Sequence, residues 1–188
     1  MPRASREQRE VHHERILTEA ARLVREHGPD GVTVPGVMAA AGLTPGGFYK
    51  HFDSKDDLLA QAEDAAIRTR ADRLAGLVAE DPTTARDRFL DTYLSTAHRD
   101  HPGRGCPTAA LATDVGRPGV ADAVRDRYVD GVREMVGTLS SLRGDDEPAA
   151  LADLATMVGA VLLARATAGD PVSERFLAAA RERLADPS

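Results

Sequence analysis

Residues 33–55 read TVPGVMAAAGLTPGGFYKHFDSK, and this stretch decides the fold. Thr33 is a suitable N-cap, and Pro35 fits the first turn because the backbone donor it lacks has no helical partner there. Val37, Met38 and Ala41 supply one apolar face. Gly42 stops the helix, Leu43 plugs the corner, and Thr44-Pro45 opens a second short helix with a hydroxyl cap followed by proline. Two short helices joined so tightly through a glycine form a helix-turn-helix, the arrangement that presents its second helix to the DNA major groove.

Phe48 and Phe52 stand four residues apart and share a face, so the spacing predicts that both are core. Tyr49, Lys50 and His51 are left outside, where a phenol, an ammonium and an imidazole can donate to phosphate oxygens. Ser54 and Asp57 have capping-box spacing for the long helix that follows, and Asp56 and Asp57 suit the positive end of its dipole. Lys55 opposes that dipole, which points to an outside partner such as a phosphate.

The run Thr33-Val34, Ala40-Ala41-Gly42-Leu43-Thr44, Phe48-Tyr49-Lys50-His51-Phe52, Ser54-Lys55 and Leu58-Leu59 resembles the DNA-binding domain of the TetR family of bacterial transcriptional regulators. The resemblance covers residues 10–60. It implies that Thr33, Thr44, Tyr49, His51 and Lys55 contact phosphates, with Pro45, Gly46, Gly47 and Lys50 nearest the bases. Gly46-Gly47 departs from the family pattern, in which side chains usually stand there. The pair offers close backbone approach but little direct readout, and costs about 1 kcal/mol per glycine in helix stability. The second helix is therefore expected to order fully on DNA, with Lys50 as the base reader.

Upstream, Ser5-Arg6-Glu7-Gln8 is a capping-box start for a first helix with its stripe at Val11, Ile16, Leu17, Ala20, Leu23 and Val24, ending at Gly28-Pro29. His12, His13 and His27 read as solvated. Downstream, a fourth helix runs from Ser54 past Leu74 and Leu77 to a break at Asp81-Pro82. Further helices follow from Thr83 or Thr84, from Cys106-Pro107, from Val120 to Leu142, from Ala149 to Ala168 and from Val172 to Ala185, with residues 98–105 and 143–148 as loops. The absence of alternating apolar patterns makes the chain all-α; the resemblance implies an N-terminal three-helix helix-turn-helix domain, residues 1–53, joined by a long helix to a helical ligand-binding and dimerisation domain, residues 54–188.

The chain has 188 residues, 42% of them apolar, and a net charge of −6. That charge is adverse to a polyanion in bulk. It is uneven, since residues 1–60 hold 8 basic and 9 acidic side chains and the acidity lies mostly beyond them. The longest apolar run, residues 157–164, is broken by a glycine and too short to span a bilayer, and the N-terminus lacks a signal-like apolar stretch, so a cytoplasmic protein without a membrane partner is expected. The single cysteine fits a reducing compartment. Gly105-Cys106-Pro107 sits at a helix start where Arg104 could favour a thiolate sensitive to electrophiles, against the alternative of a small buried hydrophobe. Zn²⁺ held by His98, His101 and Cys106 lacks standard spacing, and nothing marks an oxyanion hole, so no metal, cofactor or enzyme is expected.

Residues 149–168 are apolar around most of the helix, which calls for burial on two sides. In TetR relatives the last two helices pair with their copies, and a dimer also suits half-sites about 34 Å apart. The expected function is a homodimeric regulator, a repressor released from a palindromic double-stranded DNA operator by a small-molecule effector or electrophile. Phe89, Tyr93, Cys106, Thr108, Leu111, Tyr128 and Met135 are the pocket candidates. The alternative is a helical ligand- or partner-binding module that does not use its helix-turn-helix on DNA.

Overall fold

The computed structural model describes the backbone of residues 3–185 and the side chains of residues 6–185. The described residues form helices and turns without a strand. They comprise α1 (Arg3–Gly31), α2 (Val34–Ala40), a 3-10 segment (Pro45–Lys50), α3 (Lys55–Glu80), α4 (Ala85–Tyr93), α5 (Thr96–Asp100), a 3-10 turn (Pro102–Arg104), α6 (Pro107–Val115), α7 (Asp122–Ser141), α8 (Glu147–Ala166) and α9 (Val172–Ala185). The helix expected from Ser5 is already running at Arg3, and the side chain of Ser5 lies outside the described ones. Gly28 interrupts α1 with φ 73°, leaving one further turn from Pro29.

Two apolar cores organise these elements. The first gathers Ile16, Ala20 and Val24 from α1, Val37 and Met38 from α2, Phe48, Phe52, and Leu58, Leu59 and Ala62 from the start of α3. Leu111 and Val115 of α6 and Val124 of α7 complete it. The second joins Leu74 of α3 to Phe89, Leu90 and Tyr93 of α4, Met135 and Leu139 of α7, Met157 and Val161 of α8 and Leu177 of α9. Thus α3, about 39 Å long at 1.5 Å per residue, is a single rod with one end in each core.

Polar ties fix the outer helices. The buried Asp153 carboxylate on α8 accepts from Arg143 at 2.8 Å and Arg86 at 3.3 Å, and Arg86 also donates to the Leu184 carbonyl. The four helices α4, α7, α8 and α9 are thereby pinned at one end of the bundle. Residues 98–105, expected as loop, hold the C-terminal part of α5 and the 3-10 turn. Ser95 caps α5 by accepting from the His98 N–H at 3.1 Å, a one-residue cue for a helix too short to show periodicity.

Helix α8 is the most apolar of the long helices among the described residues: an 18-residue window within it has a mean hydropathy of 1.6, which a core helix reaches as readily as a membrane span. Its apolar side chains divide between two faces. Ala150, Leu154, Met157, Val161 and Ala164 are buried in the second core, while Leu151 and Leu163 are 51% and 49% exposed.

Candidate functional site

The helix-turn-helix joint is set by backbone chemistry. Gly42 has φ +68°, a left-handed conformation that glycine adopts without a Cβ penalty. This lets the Leu43 N–H reach the Met38 carbonyl at 2.8 Å and the Gly42 N–H reach that of Ala39 at 2.9 Å, the paired bonds of a Schellman stop. Thr33 caps α2 by accepting from the Gly36 N–H at 3.2 Å, whereas the Thr44 side chain makes no cap bond.

The second element is a six-residue 3-10 segment rather than an α-helix. Gly47 N–H bonds to the Thr44 carbonyl and His51 N–H to that of Phe48, both three residues back, and Phe52 N–H closes an α-type turn, again onto Phe48. Pro45 lacks a donor and Gly46-Gly47 contribute no side-chain packing, so little favours the longer α-helical ladder. A Cβ on Gly46 would meet nothing within 4 Å, and one on Gly47 would touch only Met38 Cε at 3.7 Å.

Phe48 and Phe52 are buried as their spacing requires, with ring centroids 5.6 Å apart. Between them the chain turns Tyr49 outward, 78% exposed, with Lys50 also exposed and His51 half-buried. Among the described residues no carboxylate pairs with Lys50 or Lys55 within 4.0 Å.

Helix α1 contributes residues that the sequence reading left as solvated. The His13 ring stacks on Phe52 at 4.7 Å and lies 5.9 Å from His51. His51 is held below its ordinary pKa by partial burial and then by the charges of His13, His12, Arg9 and Lys50. Arg9, Lys50 and the imidazoles of His12 and His13 therefore gather around His51, on a chain whose net charge is −6. The position of His13, three and four residues before Ile16 and Leu17, carried a signal: it shares their side of the helix.

Ser54 accepts from the Asp57 N–H at 3.0 Å, and the Asp57 carboxylate returns a bond to the N–H of Asp53, so both ends of the motif are fixed to α3. Lys55 is half-buried and lines a cleft of about 190 Å³ with Asp30, Asp56, Asp114 and Arg117, between the start of α3 and the α6–α7 connection.

In the second core the pocket candidates separate. Phe89, Tyr93, Cys106 and Met135 belong to that core, Thr108 and Met135 line a void of about 20 Å³ between α3 and α7, and Leu111 and Tyr128 pack with the first core. The Tyr128 hydroxyl donates to the Thr108 carbonyl at 3.1 Å. Cys106 is fully buried. Burial pushes its thiol up, but the charge of Arg70, the Ala109 N–H and the Tyr93 and Thr108 hydroxyls outweigh this and leave it below its ordinary value. The cation facing the sulfur is therefore Arg70 of α3, in place of the neighbouring Arg104, which is exposed.

Both nitrogens of His98 are engaged. Nδ1 donates to the Tyr93 carbonyl at 2.6 Å and Nε2 accepts from the Cys106 N–H at 2.9 Å. His101 Nδ1 lies 3.0 Å from the Ala97 carbonyl. This removes the zinc reading for His98, whose burial lowers its pKa to about 4.

The model for bacterial regulatory proteins of the tetR family matches residues 16–62. The uncharacterized HTH-type transcriptional regulator Rv0196 of Mycobacterium tuberculosis is 31% identical over 171 residues, covering 81% of this chain and 83% of that one. The chain belongs to the TetR family. A TetR transcriptional regulator from Chloroflexus aurantiacus is 30% identical in its crystal structure, with a TM-score of 0.76 over 94% of this chain and 93% of that one. The reduced form of E. coli NemR, 19% identical with a TM-score of 0.77 over 92% of this chain and 95% of that one, shares the fold. This TetR-family chain is a DNA-binding transcriptional regulator, built as a helix-turn-helix head on a helical body.

Proposed function

We propose that the chain is a homodimeric, cytoplasmic repressor that leaves a near-palindromic operator when a small molecule binds its helical body. Residues 1–53 form the DNA-binding domain and residues 54–188 the effector and dimer domain. Thr33, Thr44, Tyr49, His51 and Lys55 contact phosphates, while Pro45, Gly46, Gly47 and Lys50 approach the bases, with Lys50 the chief reader. The observation that carries this reading is the unpaired, outward face of Tyr49 and Lys50, with Arg9, His12 and His13 gathered beside it.

Dimerisation through α8 and α9 is supported by the apolar face that α8 leaves outside the second core, at Leu151 and Leu163. Release is supported by the course of α3. A ligand that separates α3 from α7 tilts the rod whose far end carries the first core, provided that it binds the tilted state more tightly. The test is binding of the purified chain to DNA flanking its own gene, repeated across salt concentrations. A sequence-preferring complex that weakens with salt is expected; no such complex would remove the repressor reading.

A further inference from the structure

The void between α3 and α7 has walls of unlike character. Ile67 and Leu74 of α3 and Met135 and Gly131 of α7 are apolar, whereas Arg70 of α3 and Thr108 of α6 are polar. The Arg70 guanidinium lies over the Tyr93 ring at 4.9 Å and the Phe89 ring at 5.4 Å. Stacking on two aromatic faces stabilises the cation but uses none of its N–H groups. Arg70 Nε is buried without an acceptor, and the Tyr93 hydroxyl, on a residue only 3% exposed, has none but the Cys106 thiol it faces. No carboxylate pairs with Arg70 among the described residues.

Two buried donors without an oxygen acceptor, one of them on a cation, are costly unless something completes them. The missing partner is an anion with oxygen acceptors, and the surrounding walls are apolar. The one carboxylate at the rim, Glu134 of α7, is exposed and makes no ion pair within 4.0 Å with Arg70. Burial also keeps Tyr93 protonated, and so a donor. At about 20 Å³ the void holds about one water, so a larger guest must part its walls. Met135 can re-pack to admit one. At Gly131 the α7 backbone lies so close to α3 that a Cβ would fall 2.6 Å from Ile67 Cδ1, so a guest there has to displace Ile67 or the helix that carries it.

We propose that Arg70 and the Tyr93 hydroxyl are the head-group site for an apolar organic acid, whose hydrocarbon body wedges between α3 and α7. This rests on the reading of the helical body as an effector domain, and gives that domain a ligand class: a monoanionic carboxylate with an aliphatic or aromatic tail.

The experiment titrates the full chain calorimetrically with two matched probe pairs, octanoate against 1-octanol and benzoate against benzyl alcohol. In at least one pair the carboxylate is expected to bind about ten- to hundredfold more tightly than the alcohol, as a charge-assisted bond to arginine implies. Arg70→Gln should erase that preference. Tyr93→Phe, which keeps the ring beneath Arg70, should reduce it several-fold. Equal binding of acid and alcohol, binding of no probe, or a preference that survives Arg70→Gln overturns the inference. So does an Arg70→Gln variant whose sole effect is slower alkylation of Cys106, since Arg70 would then serve the thiol. A parallel DNA gel shift separates the two readings: Arg70-dependent acid binding that leaves the DNA complex intact keeps the head-group site and removes the effector role.

Discussion

The guanidinium of Arg25, on α1, donates from two nitrogens to the backbone carbonyl of Gly103, at 3.0 and 2.5 Å. Gly103 sits in the 3-10 turn after α5, in the helical body, and a Cβ there would fall 2.3 Å from a Glu26 carboxylate oxygen. Head and body thus meet backbone to helix, with a half-buried cation as the fastener. Burial lowers the pKa of Arg25 to about 10, leaving it charged at neutral pH.

Replacing Arg25 by Gln removes a charge-assisted pair of bonds and leaves the Gly103 carbonyl without its donor. The variant is expected to lose about 1.5–3 kcal/mol of stability. Urea unfolding of the two proteins measures it, and an unchanged midpoint would show that solvent replaces the contact at no cost.

Glu63 of α3 is 3% exposed, and burial raises its pKa to about 7, against the opposing charge of Arg25. In the unfolded chain the same carboxyl ionises near its ordinary value of 4.5. Between these values the folded state binds more protons, so this group's contribution falls as pH rises from 4.5 towards 7 and stays low above. The gap corresponds to about 3 kcal/mol. Glu63→Gln is expected to be the more stable protein at pH 8, with the difference from the parent vanishing near pH 4. His98, with its lowered pKa, contributes the opposite slope below pH 6.5, common to both proteins, so the difference isolates Glu63.

Gly46 has open space around its missing Cβ and no positive φ. Gly46→Ala is therefore expected to fit without a clash and to favour the recognition segment by up to about 1 kcal/mol. Hydrogen exchange of the Phe48 and Tyr49 amides in the free protein should slow. Faster exchange would mean that the segment resists a side chain for a reason other than space.

Lys50→Ala and Lys55→Ala should both weaken operator binding, but differently. Loss of Lys50 should flatten the preference for operator over scrambled DNA, whereas loss of Lys55 should weaken both equally and reduce the salt slope by about 1. Competition gel shifts at several salt concentrations separate the two, and identical profiles would defeat the division of roles.

Leu163 stands exposed on the apolar face of α8. A charge there would be desolvated in a dimer and harmless in a monomer. Leu163→Glu is expected to sediment as a monomer with unchanged helical content and to lose operator affinity. A variant that remains dimeric would place the contact elsewhere.

Several of these features were legible in the sequence for identifiable reasons. Phe48 and Phe52 reveal their burial through a four-residue spacing, and the ends of α1 and α3 are marked by Gly28-Pro29 and Asp81-Pro82. The 3-10 geometry of residues 45–50 was not legible as such, although the proline and paired glycines that cause it were read as a weakness of the helix. Arg70 escaped notice because nothing local connects it to Cys106; only the packing of α3 against α6 brings the cation to the thiol. The same holds for His13, which reads as one more polar residue on a charged helix until the Phe52 ring is placed beside it.

The first core does not close within its own half of the chain, because Leu111, Val115 and Val124 arrive from α6 and α7 to complete it. A head excised after residue 53 would lose these side chains together with Leu58, Leu59 and Ala62. Chimaeras that graft this reading head onto another sensor body should therefore carry the matching α6 surface with them, since the transferable unit is a patchwork of the chain rather than a contiguous segment.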